Sequence, residues 1–217
     1  MNFMQLRERQ PKFPVTVKTG EGVVELIWNK IEYADGYRVF ASPVGKNHFV
    51  GVINVKGTTA VMKKRANGVP MQYKVKAFRI ADGPDNFFGE SEIVIACPLE
   101  TPRRLTAIVG SDGICTLSWR YNSQCDGFKI YADSNESGKY SFVCYSGKNS
   151  CRLDSFTKSG KVSFVVRSFI MTGHMEKLGV SSAPAEAVLP KSKGAKAVQF
   201  DHSMIRKTAG DYNARRF

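Results

Sequence analysis

Three histidines, 19 carboxylates and five cysteines are the residues with which this chain of 217 could do catalytic or metal chemistry. His48, His174 and His202 lie in separate segments, and none forms a His-x-x-x-His pair. No Gly-x-Ser-x-Gly elbow or phosphate-binding loop appears either, so nucleophilic and phosphoryl-transfer chemistry lack their usual local arrangement. The carboxylates fall singly. Asp82, Asp85 and Glu90 share one loop region, but DGPDNFFGE lacks the alternating ligand spacing of a calcium loop. We expect no enzyme activity, no metal and no cofactor.

The cysteines are Cys97, Cys115, Cys125, Cys144 and Cys151, an odd number with no CxxC pair, which argues against a zinc site and a stapled secreted scaffold. We read them as reduced thiols. Cys115 is expected to be buried and Cys125, in a loop, more accessible. The competing reading pairs Cys144 with Cys151 across a turn. Two basic runs remain. Lys63-Lys64-Arg65 has no adjoining aromatic to stack a base, so a solvated loop is favoured over a nucleic-acid contact. Arg103-Arg104 suits an exposed first strand, where charge discourages edge pairing.

The elements that carry these residues follow from an internal repeat. At an offset of 91, Pro11 matches Pro102, Leu26 and Trp28 match Leu117 and Trp119, and Asp35-Gly36-Tyr37 matches Asp126-Gly127-Phe128. Phe40 matches Tyr131, and Tyr73, Val75 and Phe78 match Phe164, Val166 and Phe169. Within each copy the apolar residues alternate. Val24, Leu26 and Trp28 share one face of a strand, as do Cys115, Leu117 and Trp119. About seven short strands per copy, with turn signals every ~8–12 residues, describe a β-sandwich. Asp-Gly before an aromatic is read as the tight turn between strands.

Pro-x-x-Pro, a strand ending in Trp28, Gly-Tyr-x-Val-Phe, Tyr-x-Val-x-Ala-Phe and Gly89-Glu90-Ser91 together resemble a fibronectin type III domain. The resemblance covers 11–98 and, with weaker motifs, 99–190. It implies an all-β chain of two tandem immunoglobulin-like sandwiches. It also implies that Trp28 and Trp119 anchor the cores with Tyr37 and Phe128, and that Tyr73 is a corner tyrosine whose hydroxyl bonds back to the preceding loop. Phe164 replaces that tyrosine in the second copy and has no hydroxyl. The connection Cys97-Pro98-Leu99-Glu100-Thr101-Pro102 carries two prolines and is expected to be stiff.

Residues 1–10 form a short N-terminal segment, and 191–217 a tail outside both copies. The chain carries a formal charge of +13, and the tail alone contributes seven basic residues against two acidic ones. Phe200, Ile205, Tyr212 and Phe217 add apolar bulk to its Arg206, Lys207, Arg215 and Arg216, so we expect a docking segment that orders on a partner with an acidic surface. No stretch reaches the ~18–20 apolar residues of a membrane span. MNFMQLRERQ has no apolar core behind it, so we expect synthesis in the cytoplasm without a secretory signal. The reading that follows is a structural or adaptor protein in a larger assembly. By analogy, that assembly is a phage virion, with the chain a tail, neck or capsid accessory. The alternative is a cell-surface adhesion module that binds glycans or wall polymers.

Overall fold

The structure, a computed structural model, describes residues 12–82, 86–154 and 159–190. In the first copy the strands are β1 (Val15–Gly20), β2 (Val23–Trp28), β3 (Gly36–Pro43), β4 (Val50–Val55), β5 (Thr59–Met62), β6 (Met71–Phe78), β7 (Phe87–Glu90) and β8 (Val94–Ala96). In the second they are β9 (Arg103–Val109), β10 (Cys115–Arg120), β11 (Gly127–Asp133), β12 (Ser141–Ser146), β13 (Ser150–Leu153), β14 (Gly160–Thr172), β15 (Met175–Leu178) and β16 (Ala185–Leu189). A single 3₁₀ turn, Ile80–Asp82, interrupts the β pattern among the described residues.

Each copy folds as two antiparallel sheets. One orders its strands β1-β2-β5 and faces a larger sheet β4-β3-β6-β7, in which β8 also pairs β6. The second copy repeats this as β9-β10-β13 against β12-β11-β14-β15, with β16 also pairing β14. The alternation in the sequence explains the burial. Val24, Leu26 and Trp28 of β2, and Cys115, Leu117 and Trp119 of β10, turn inward while their neighbours face outward. Trp28 packs edge-on to Tyr37 with ring centroids 5.2 Å apart, and Trp119 meets Phe128 in the same way at 5.1 Å. Tyr73 and Phe164 are among the largest fully buried side chains.

The last strand of each copy is broken, giving eight strands rather than seven. A buried serine sits at each break. The Val75 amide donates to Ser91 Oγ at 2.9 Å, and the Ser91 amide donates to the Val75 carbonyl at 2.8 Å. In the second copy Ser182 makes the same two bonds to Val166, at 3.0 and 2.9 Å.

The Asp-Gly motifs are not hairpin turns. They are corners between the sheets. Asp35 accepts the Ile80 amide at 2.9 Å and Asp126 accepts the Met171 amide at 2.6 Å, so each carboxylate ties its corner to the end of the long central strand. The glycine that follows is required by close approach. A Cβ on Gly36 would lie 2.7 Å from the Phe78 ring, and one on Gly127 would lie 3.0 Å from the Phe169 ring.

The junction between the copies is packed. Cys97, Pro98, Leu99 and Pro102 are buried, and Cys97 and Leu99 cluster with Ile170 and Cys125 of the second copy. The Gly68 amide donates to the Pro98 carbonyl at 2.8 Å. Glu100 accepts the Asn122 amide at 3.0 Å and the Ser123 hydroxyl at 2.7 Å. Arg103 bridges to Glu21 of the first copy at 2.6 Å. Burial pushes the Glu21 carboxyl up, and hydrogen bonds from Arg103 and Thr101 more than offset it, leaving the group below its ordinary value.

Candidate protein-interaction surfaces

The two described histidines lie apart. His48 is exposed in the β3–β4 loop and His174 in the β14–β15 turn, while His202 lies outside the described residues. Asp85 is also outside them, and Glu90 is engaged by Lys74 and Lys76 at 3.2 and 3.0 Å. Among the described residues no three His, Cys, Asp or Glu side chains group as a metal site. Among the same residues no helix is long and apolar enough to cross a membrane. Lys63, Lys64 and Arg65 are exposed beyond β5; the Arg65 amide donates to the Gly22 carbonyl at 2.9 Å.

The structure buries Trp28, Tyr37, Tyr73, Trp119, Phe128 and Phe164 in two separate cores. The Tyr37 hydroxyl accepts the Ile31 amide at 2.8 Å, a tie that composition does not reveal. The Tyr73 hydroxyl faces the Arg65 side chain in the loop before β6. Burial raises its pKa, and Arg65 partly offsets that. Cys125 is half-buried against the junction, and burial raises its thiol pKa also. The tail residues Phe200, Ile205, Arg206, Lys207, Tyr212, Arg215, Arg216 and Phe217 lie outside the described residues.

Two outer strands repeat between the copies. β4 and β12 are free edges of the larger sheets, and they occupy equivalent places in the two copies. Neither strand, VGVINV nor SFVCYS, contains a charge or a proline. Charges mark several other edges, β1 by Lys18, β9 by Arg103 and Arg104, β13 by Arg152, and β15 by Glu176 and Lys177, while β5 (TAVM) and β8 (VIA) in the first copy are uncharged as well. Both β4 and β12 also carry a bulge. The register shifts at Val39/Phe40 and at Ile130/Tyr131, leaving Val52 and Val143 as the extra residues. Both valines point to solvent, 41% and 38% exposed. Val50 and Phe142 beside them are 54% and 48% exposed. A bulge re-aims side chains and shortens the continuous ladder that an incoming strand could extend.

The loops that lead into these edges are pinned. Asp133 accepts the Asn135 and Gly138 amides at 3.0 and 2.6 Å. The Asn135 amide and its neighbours hold that carboxyl below its ordinary value. At the equivalent place, the Ser42 hydroxyl donates to the Lys46 carbonyl at 2.7 Å.

Cations and aromatics cover the outer face beside each edge. In the first copy Arg38 and Lys76 lie over the Phe87 ring at 5.5 and 5.4 Å, and Lys74 lies over Phe49 at 4.5 Å. In the second, Lys129 lies over Tyr145 at 5.1 Å and pairs with Glu176 at 2.6 Å. Burial pulls the Lys129 ammonium down, and Glu176 with Tyr145 more than offsets it, so the lysine stays charged.

No protein-family model matches the sequence, and no curated protein matches it. Among solved structures, the chain resembles the FN1–FN3 domains of chicken contactin (CNTN1), with a TM-score of 0.38 and 18% identity over 83% of this chain and 67% of that one. It also resembles a two-domain fibronectin type III segment of chicken tenascin, with a TM-score of 0.45 and 16% identity over 82% of this chain and 97% of that one. Each copy sets a three-stranded sheet against a five-stranded one, so the chain is all-β, with two tandem immunoglobulin-like, fibronectin type III-like sandwiches.

Proposed function

We propose that the chain is a non-enzymatic protein-interaction module that holds partners in place within a larger assembly. The observation that carries this reading is the repeated free edge. β4 and β12 are uncharged, solvent-facing and bulged at the same position, in a chain where 24% of residues are charged. The bulge confines the unpaired backbone groups of each edge to a short stretch, so an added strand would be short, with the side chains beside it setting specificity. Arg38 beside β4 favours a partner with acidic side chains, while Lys129 beside β12 is already paired with Glu176. The packed junction holds the edges in fixed relation.

The finer reading is an accessory component of a phage virion, made in the cytoplasm and docked through the basic segment 191–217. Two small modules, a packed junction and that strongly basic segment suit a spacer seated on a large acidic surface.

Purification from the native source tests both parts. The full chain, a Val52→Lys/Val143→Lys variant and a chain ending at Pro190 are each used as bait at equal salt. Loss of the co-purifying protein with the lysine variant supports the edges, and loss with the shortened chain supports the tail. Undiminished capture by both variants overturns the proposal. Capsid or tail proteins among the captured partners support the virion reading, and their absence removes it.

A further inference from the structure

Cys144 ends its strand's exposed stretch and turns into the second core, while Cys151 enters from the opposite sheet. Their sulfur atoms are 3.3 Å apart. β12 belongs to the larger sheet and β13 to the smaller, so this contact joins two edge strands across the sandwich. The first copy shows what the fold itself requires there. The equivalent positions hold Ile53 and Ala60, an apolar pair against the same kind of core. Thiols are therefore not needed for packing, yet both positions carry one in the second copy.

From this geometry we propose that Cys144 and Cys151 form a reversible thiol–disulfide site, which takes a low-molecular-weight disulfide of the glutathione class as its oxidant. The inference stands independently of the adaptor reading. Closing the bond needs the sulfurs to approach by about 1.3 Å, within the reach of side-chain rotation.

The two cysteines have different roles. Cys144 is buried and Cys151 is half-buried, so the incoming disulfide reaches Cys151 first. The two thiols share one hydrogen bond, which lowers the Cys151 pKa and raises that of Cys144. The Cys151 thiolate attacks one sulfur of oxidised glutathione. The S–S bond breaks, one glutathione leaves and takes up a proton, and a mixed disulfide remains on Cys151. Cys144 then loses its proton to solvent and attacks the Cys151 sulfur, expelling the second glutathione. Two protein thiols are oxidised and one glutathione disulfide is reduced to two thiols. The product ties the free edge of the larger sheet to the smaller sheet.

The full chain is equilibrated in buffers of increasing oxidised-to-reduced glutathione ratio, quenched in acid, alkylated and mapped by mass spectrometry. A Cys144–Cys151 linkage that forms and is reversed by reductant is the expected result. Oxidation should raise the melting temperature of the second sandwich on the order of 10 °C. Cys144→Ala should stop at the mixed disulfide on Cys151, and Cys151→Ala should take up little glutathione at position 144. Both thiols remaining alkylatable at the most oxidising ratio overturns the site, as does prior oxidation of Cys97 or Cys125. Equal glutathione uptake in the two variants overturns the assignment of roles. The linkage map of the unmodified chain keeps the test decisive if either variant fails to fold.

Discussion

Val75 and Ser91 hold each other by both backbone and side chain: the Val75 amide donates to Ser91 Oγ at 2.9 Å, and the Ser91 amide donates to the Val75 carbonyl at 2.8 Å. The serine hydroxyl in turn donates to the Glu92 carbonyl at 2.7 Å. The side chain thus replaces a ladder bond that the break between β7 and β8 removes. Ser91→Ala would leave a buried amide without its acceptor, at a cost of about 1–3 kcal/mol. Ser182→Ala should cost the second sandwich a similar amount. Urea unfolding monitored by fluorescence checks this, since Trp28 and Trp119 report on separate cores. A change within a few tenths of a kcal/mol would show that the backbone bonds alone bridge the break.

Trp28 and Trp119 fill their cores, but neither buried indole N–H finds an acceptor among the described residues. Volume and polarity therefore pull in different directions. Truncation to Ala should cost about 3–5 kcal/mol through cavity formation. Trp28→Phe should cost much less, because it removes the unpaired donor along with part of the ring. Equal losses for Phe and Ala would mean that the indole N–H is satisfied in solution.

Some of this was legible in the sequence. Trp28 and Trp119, the Gly-aromatic pairs and the central aromatic strands reveal the repeat, because large side chains and obligatory glycines leave few substitutes at one position. Ser91 and Ser182 were not legible as structural ties. Serine is common at surfaces, and only the broken strand shows why these two are buried. The bulges at Val52 and Val143 escaped for a related reason. One unpaired residue leaves the alternation of the strand largely intact, and its effect appears only in the register with β3 and β11. The junction depends on loops distant in sequence, Gly68 and Gln124 among them, whose meeting no local pattern encodes.

Glu90 gives a dependence on pH with a defined sign. Burial pushes its carboxyl up, and the hydrogen bonds and charges of Lys76 and Lys74 more than offset this, so its folded pKa lies below the ordinary value. The unfolded chain therefore binds its proton at higher pH than the folded chain. The stabilisation is complete above the ordinary carboxylate range and is lost as pH falls through the lower folded pKa. Glu90→Gln should flatten the acid limb of the stability curve of the first sandwich and leave the second unchanged. A melting series from neutral to acidic pH reads this directly. An unaltered acid limb would assign the loss to other carboxylates.

Gly68 sets the junction between the sandwiches through three constraints at one residue. Its φ of +73° favours glycine, its amide donates to the Pro98 carbonyl at 2.8 Å, and a Cβ there would lie 2.3 Å from the Gln124 carbonyl oxygen. Backbone cannot retreat as a flexible side chain can, so Gly68→Ala should separate the loop from Gln124. Each sandwich keeps its own core, and the two melts should change by no more than about 1–2 kcal/mol. The relation between the copies should change instead. Small-angle scattering is expected to show a longer maximum dimension or a broader distribution of distances for the variant. Binding that engages both edges of one chain should then weaken through lost preorganisation, while binding at either edge alone should persist. An unchanged scattering profile would place the stiffness of the junction in Pro98, Pro102 and the Arg103–Glu21 bridge rather than in the Gly68 contact.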